Sequence, residues 1–261
     1  MLQIQSLASG SKGNAVYICS DTTRILVDVG LTLPQLRKRC IAAGIDMDAI
    51  SAVILTHEHC DHILGLGSFL TTTNAMLHIH DKVRHLFEHI PSEKIISFDG
   101  PFTIGDISVQ FFPVPHDSKF CFGYNFTLGD EKISIATDLG RIDENIIGAL
   151  SGSQIVMLEC NHDLLRLTYN KKYPAILKQR ITSSRGHLSN PSCAMAVLEL
   201  CKLGTTQVIL AHLSAENNSP TLAYGFVRDF LNSRGIVEGR DIWIDVATQD
   251  KSTVAFAVKK A

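Results

Sequence analysis

The chain has 261 residues, a formal net charge of −2 and 45% hydrophobic residues. These values suit a folded protein with a sizeable core and exclude a strongly basic chain, so any nucleic-acid contact needs a local basic patch. "MLQIQSLASGSKGN" lacks a basic n-region before an apolar stretch, no apolar run approaches the roughly 20 residues of a membrane span, and seven cysteines without paired spacing suit reduced thiols; the expectation is a cytoplasmic protein without membrane contact.

In chain order, "LQIQSLAS" and "AVYICS" read as strands around the turn "GSKGN", and "RILVDVG" as a third strand ending in Asp28 and Gly30. "LPQLRKRCIAAG" has helical spacing, with Pro34 near its start and Gly44 at its stop. "AVILT" is a β-branched strand running into a histidine cluster. "HILGLGSFLTTT" then reads as a helix, "MLHIH" as a strand and "KVRHLFEHI" as a helix. "ISVQFFPVP" delivers His116 and Asp117, and the hairpin "YNFTLGDEKISIATDLG" delivers Asp138. "QIVMLEC", "QVILAHLS" and "STVAFAVK" are later strands, separated by helical "PSCAMAVLELCKLG" and "TLAYGFVRDFLNSRG". Strands alternate with helices in both halves with no linker between. The pattern predicts one domain over 1–261, with two packed sheets and helices outside.

The stretch "THEHCDH", residues 56–62, holds three histidines and two carboxylates. Period-two alternation points His57, His59 and Asp61 to one side, and His62 elsewhere. A single metal cannot easily take all four, but two can, with His57 and His59 on one and Asp61 and His62 on the other. His116, Asp138 and His212 each end an apolar strand, as His57 does. They are the expected remaining ligands, with Asp138 as a bridge. Imidazole and carboxylate donors suit zinc, manganese or iron, and leave the choice open. Asp28 is expected to hydrogen-bond a ligand rather than be one. Cys60 reads as a buried thiol, His78 and His80 as a solvated turn, and Cys160 and His162 in "ECNHD" are not assigned to the site.

In type and order these ligands resemble those of the metallo-β-lactamase-fold superfamily, over nearly the whole chain. The resemblance implies a four-layer αββα sandwich with the site at one edge where the sheets meet. Histidine at position 59, where the di-iron flavoprotein branch has glutamate, implies a hydrolytic site with two divalent metals. "LASGSKGNAVYI", "ILVDVGL", "YPAILKQRITSSRGHLSNPSCAM" and "AHLSAENNSP" resemble the YycJ/WalJ group. That resemblance implies a cytoplasmic, DNA-directed exonuclease working from 5′ ends with manganese support, in which Asp61 also orients the nucleophile.

Residues 162–186 carry Arg166, Lys171, Lys172, Lys178, Arg180 and Arg185 against one acid, Asp163. Lys172, Lys178, Arg180 and Arg185 are the expected phosphate contacts. Tyr169 and Tyr173 either stack on bases or pack in the core. In "GHLSNP", Asn190 is expected to cap a helix that Pro191 begins, making Ser189 and Asn190 an anion site. His187, just before it, is expected to bind a phosphate oxygen or protonate the leaving oxygen. Asn218 or Ser219, followed by Pro220, repeats the device near His212. The expected reaction is in-line attack on phosphorus by a water held between two cations, with His187 and one metal stabilising the phosphoryl oxygens.

Rival readings use the same metals. A thioesterase or lactonase is one, although strand-like "STVAFAVK" leaves no C-terminal helical domain of the glyoxalase-II kind. An RNA-processing nuclease is another; too few residues separate Asp138 from His212 for a β-CASP insert, and "HDLLRLTYNKKYPAILKQR" is at most a short arm. A non-catalytic binding module is disfavoured by the full ligand set. Oligomeric state and DNA against RNA are left open.

Overall fold

A computed structural model describes residues 1–258. The first half of the chain forms β1 (Gln3–Ala8), β2 (Ala15–Cys19), β3 (Arg24–Val27), β4 (Ala52–Ile54), β5 (Met76–His80) and β6 (Ile95–Phe98). The second forms β7 (Phe102–Ile104), β8 (Ile107–Pro113), β9 (Phe122–Leu128), β10 (Glu131–Ala136), β11 (Ile155–Glu159), β12 (Gln207–Ala211) and β13 (Trp243–Val246). A short β14 (Phe256–Ala257) returns to pair antiparallel with β1. The two sheets run β14-β1-β2-β3-β4-β5-β6 and β13-β12-β11-β10-β9-β8-β7. Within them β3 to β6 are parallel, as are β10 to β13. Their C-terminal ends therefore lie together along sheet edges.

Alternation sorts the side chains into three apolar layers. Val27 and Ile54 of one sheet meet Tyr124, Ile135, Met157 and Ile209 of the other. On the outer side of the first sheet, Leu26, Val53 and Leu77 pack under α1 (Leu33–Ala43) and α3 (Leu66–Thr72). On the outer side of the second, Val156, Leu158 and Leu210 pack under α7 (Asn190–Lys202) and α8 (Pro220–Asn232). The result is the expected αββα order. Tyr124, fully buried, donates its hydroxyl to the Leu55 carbonyl at 2.7 Å and so ties the sheets just beneath the histidine cluster.

Several local expectations change. "HILGLGSFLTTT" splits into α2 (Cys60–Ile63) and α3. At the break the Gly65 N–H donates to Val29 O, and a Cβ there would stand 2.1 Å from Leu31 O. "KVRHLFEHI" becomes a 3₁₀ turn over Asp81–Phe87, capped by His80 Nδ1 accepting from Lys82 N. His78 and His80 are buried, not solvated. Alternation along β5 turns both inward, where His78 stacks on Phe102 at 5.6 Å and His80 on Phe122 at 5.0 Å. Cys60 is exposed because alternation stops at His59, where α2 begins. "STVAFAVK" pairs only through β14, and its Lys259 lies outside the described residues. Elements β6, β7 and β13 are additional to the sequence reading, as are α4 (Glu144–Leu150), α5 (Leu164–Tyr169) and α6 (Ala175–Ile181). No helix among the described residues is long and apolar enough to cross a membrane.

Candidate metal centre

Six strands end at one place. Asp28 follows β3, His57 follows β4, His116 and Asp117 follow β8, Asp138 follows β10, Glu159 ends β11 and His212 follows β12. Asp28, Asp138 and His212 adopt φ values of 64°, 58° and 53°, the three non-glycine residues with positive φ among those described. Such backbone costs of order 1–3 kcal/mol per residue and survives only where the surroundings fix it. Here all three outliers turn a strand-end side chain toward a common point. The motif loop is pinned by backbone hydrogen bonds from Asn14 N to Asp61 O at 2.8 Å and from Val29 N to His62 O at 2.7 Å.

The geometry gathers all seven ligand candidates. Donor atoms of His57, His59 and His116 lie within 4.8 Å of one another, as do those of Asp61, His62 and His212. Asp138 stands between the groups: Oδ2 is 3.3 Å from His62 Nε2, and Oδ1 is 3.4 Å from His212 Nε2 and 4.0 Å from His116 Nε2. The first group uses the alternation of the loop, whereas α2 turns His62 away from His59 and into the protein.

Within this cluster, three buried polar atoms are orphaned. His57 Nε2, His212 Nε2 and Asp138 Oδ2 have no hydrogen-bond partner. Buried polar atoms are normally satisfied, and these three belong to imidazole–carboxylate groups that share Asp138 and suit a divalent cation. Burial, together with the neighbouring His62, His116 and His59, drives His57 well below the usual histidine value, toward the neutral form a ligand needs. Burial also opposes charge on Asp61, but the nearby His212 and His62 rings, with Nε2 atoms 3.7 and 3.5 Å from Oδ2, outweigh it and hold the carboxylate ionised. His62 shows the converse: desolvation disfavours its protonation, yet Asp28 and Asp138 lift it to about 10. The residues present fit bound divalent metal.

A layer of hydrogen bonds orients these candidate ligands. His62 Nδ1 meets Asp28 Oδ2 at 2.8 Å, and Asp28 in turn accepts from the Thr56 N–H and hydroxyl, each at 2.8 Å. His116 Nδ1 meets the Gly186 carbonyl at 3.2 Å. Glu159, fully buried, is a candidate functional residue that the sequence pattern did not single out. Its Oε1 lies 2.7 Å from His187 Nδ1 and 3.1 Å from His212 Nδ1, and its Oε2 accepts from Leu139 N at 2.8 Å. Burial works against its charge, but His187 and His212 hold its carboxyl far below the usual glutamate range. Its signal was the strand-terminal position it shares with Asp138 and His212.

His187 lines a cleft of about 190 Å³ with Ser11, Asp117, Asn161, Tyr173 and Arg180. Its ring stacks on His212 at 5.3 Å, with Nδ1 engaged by Glu159. A larger hollow of about 1140 Å³, beside Glu131, Gln154 and Gln207, lies at the opposite ends of the strands and contains none of the cluster.

The basic residues expected to meet phosphate each make contacts within the protein. Arg180 pairs with Asp117 at the cleft. Arg185 donates to the His116 and Ser118 carbonyls at 2.8 and 3.3 Å, so it braces the His116 loop. Lys172 makes an exposed pair with Glu216, and Lys178 donates to the Thr168 carbonyl. Tyr169 is 76% exposed and Tyr173 half-buried in the cleft wall, so neither belongs to the core.

The anion site at Ser189 and Asn190 is corrected. Ser189, not Asn190, caps α7 and accepts from Ser192 N; the Asn190 N–H donates to His162 O. The Asn190 side chain is fully buried between Cys160 and Asn218. Those donors are spent inside the protein. Ser219 caps α8, with Asn218 buried behind it. His162 is also buried, with both ring nitrogens unpartnered.

Residues 23–213 match the family described as "Beta-lactamase superfamily domain". The chain is 33% identical to "Exodeoxyribonuclease YycJ" of Bacillus anthracis over 91% of its length and 92% of that protein's. It is 30% identical to "Exodeoxyribonuclease WalJ" of Streptococcus pneumoniae over 95% and 94%. Among solved structures, the metallo-beta-lactamase fold protein YhfI of Bacillus subtilis superposes with a TM-score of 0.71 over 97% of this chain and 99% of that one, at 17% identity. The chain belongs to the beta-lactamase superfamily, and within it to the family of YycJ and WalJ.

Proposed function

We propose that the protein is a nuclease with two divalent metals that removes nucleotides from DNA, beginning at 5′ ends. The observation that carries this reading is the convergence of His57, His59, Asp61, His62, His116, Asp138 and His212 in a chain related over nine-tenths of its length to proteins named exodeoxyribonucleases. Shared strand ends and a common inter-sheet core support reading the chain as one domain. The absence of disulfides among its seven cysteines supports a reducing compartment, the cytoplasm.

Two cations of zinc, manganese or iron would be held by the two histidine groups across Asp138, and would supply Lewis acidity and a lowered pKa for water. The protein's own groups do the rest. Asp61, partly exposed among buried neighbours, orients the attacking water. His187, fixed at Nδ1 by Glu159, keeps Nε2 to hold a phosphoryl oxygen or pass a proton to the leaving oxygen. Arg180 and Tyr173 offer a cation and a ring along the cleft. Lys172 and Lys178, at the surface, meet phosphates farther away, exchanging weak internal contacts for them.

The test is a substrate panel. Metal-free protein, reloaded with each cation in turn, is given linear DNA, RNA, a thioester and a lactone. Cleavage of DNA above all others supports the reading, whereas turnover of thioester or lactone with intact DNA overturns it.

A further inference from the structure

We propose that Asp117 is an additional carboxylate ligand for the metal held by His57, His59 and His116, positioned by Arg180. This inference rests on the two-metal reading above and adds a residue to it.

Asp117 Oδ1 lies 3.3 Å from His116 Nε2 and 4.0 Å from His59 Nε2. It is nearer to His116 Nε2 than Asp138 Oδ1, which stands 4.0 Å away. The three histidines supply only neutral donors, and His57 and His116 are themselves buried. An anionic oxygen beside His116 and His59 supplies charge that imidazoles lack. The other oxygen, Oδ2, accepts from Arg180 Nε, which leaves Oδ1 facing the histidines.

An exposed aspartate–arginine pair is ordinarily a surface decoration of little energetic weight. Here the loop backbone is held by several hydrogen bonds. Arg185 holds the carbonyls of His116 and Ser118, Gly140 N donates to Pro115 O, and Lys119 N donates to Glu58 Oε1. The Asp117 side chain is 27% exposed, so it borders the cleft without leaving the cluster. Arg180 is thereby a positioning residue for the carboxylate as well as a cation at the cleft.

The experiment titrates Co²⁺ into metal-free full-length protein by calorimetry, and follows the visible absorption of the bound cobalt. The native protein is expected to take up two equivalents. Asp117→Asn weakens one step on the order of tenfold or more and changes its absorption, with the other step unmoved. Asp117→Glu restores part of the loss, and Arg180→Gln weakens the same step by a smaller factor. His59→Ala identifies that step by removing it. If His59→Ala loses one equivalent while Asp117→Asn keeps both affinity and spectrum, Asp117 is not a ligand and the proposal falls. If the native protein takes up only one equivalent, the two-metal reading falls first; if His59→Ala binds two equivalents unchanged, no step belongs to the His57, His59 and His116 set and the proposal falls with it. Melting curves of the metal-free variants, expected to match the native one, separate ligand loss from misfolding.

Discussion

Glu159 Oε1 lies 2.7 Å from His187 Nδ1, in a fully buried position at the end of β11. The same oxygen reaches His212 Nδ1 at 3.1 Å, so one carboxylate fixes both a candidate ligand and the imidazole lining the cleft. Glu159→Gln keeps the shape but removes the charge. We expect turnover to fall by about 10–100-fold, with the melting temperature of metal-free protein moving little by comparison. An unchanged kcat in the variant would show that the contact is merely structural.

Asp28 offers a cleaner test of ligand orientation. Its φ of 64° suits asparagine as well, because both residues tolerate left-handed backbone. Asp28→Asn therefore preserves the turn while weakening the contact to His62 Nδ1. Metal affinity should drop by about 10–100-fold, read by competition with a chromophoric chelator. Asp28→Ala should lose affinity and fold stability together, since alanine resists that φ.

Gly30 shows how tightly the motif loop is packed. A Cβ there would stand 1.7 Å from Asp61 O and 2.5 Å from Asn14 N, both backbone atoms that cannot swing aside. Gly30→Ala should cost about 3 kcal/mol or more through overpacking, and should loosen Asp61 and His62. Chemical denaturation measures the first effect and metal titration the second. A variant as stable as the native protein would mean the loop has room the geometry denies it.

His78 makes stability depend on acid. Burial lowers its pKa to about 4 from the usual 6.5, and it stacks on Phe102 without a partner for Nδ1. The unfolded chain takes up this proton first as pH falls through 6.5, so stability drops until the folded pKa is passed. The loss from this residue reaches roughly 3 kcal/mol. His78→Phe should remove that part of the decline between pH 6.5 and 4, measured by urea unfolding at both ends. His162, buried with a pKa of about 4, retains its own share. Parallel declines in variant and native protein would exclude His78 as a source.

The candidate ligand set was legible because chemistry and position coincided: "THEHCDH" is dense in donors, and His116, Asp138 and His212 each terminate an apolar run. Glu159 has the same strand-end position in "QIVMLEC", but a lone acid there carries no spacing signal, and only the fold brings it under His187 and His212. Ser189 and Asn190 are both good caps, so sequence placed the helix start one residue late and left a buried asparagine looking available. His78 and His80 misled because two histidines on alternate positions resemble a polar edge. The aromatic residues that cover them come from β7 to β9, distant in sequence.

The most direct measurement of the central claim is digestion of linear duplex DNA labelled at either its 5′ or its 3′ end, with manganese, beside a His59→Ala control. We expect native protein to release the 5′ label early and processing to stop when metal is chelated, with the control inactive. Intact DNA under every metal, or equal cleavage by His59→Ala, would contradict it.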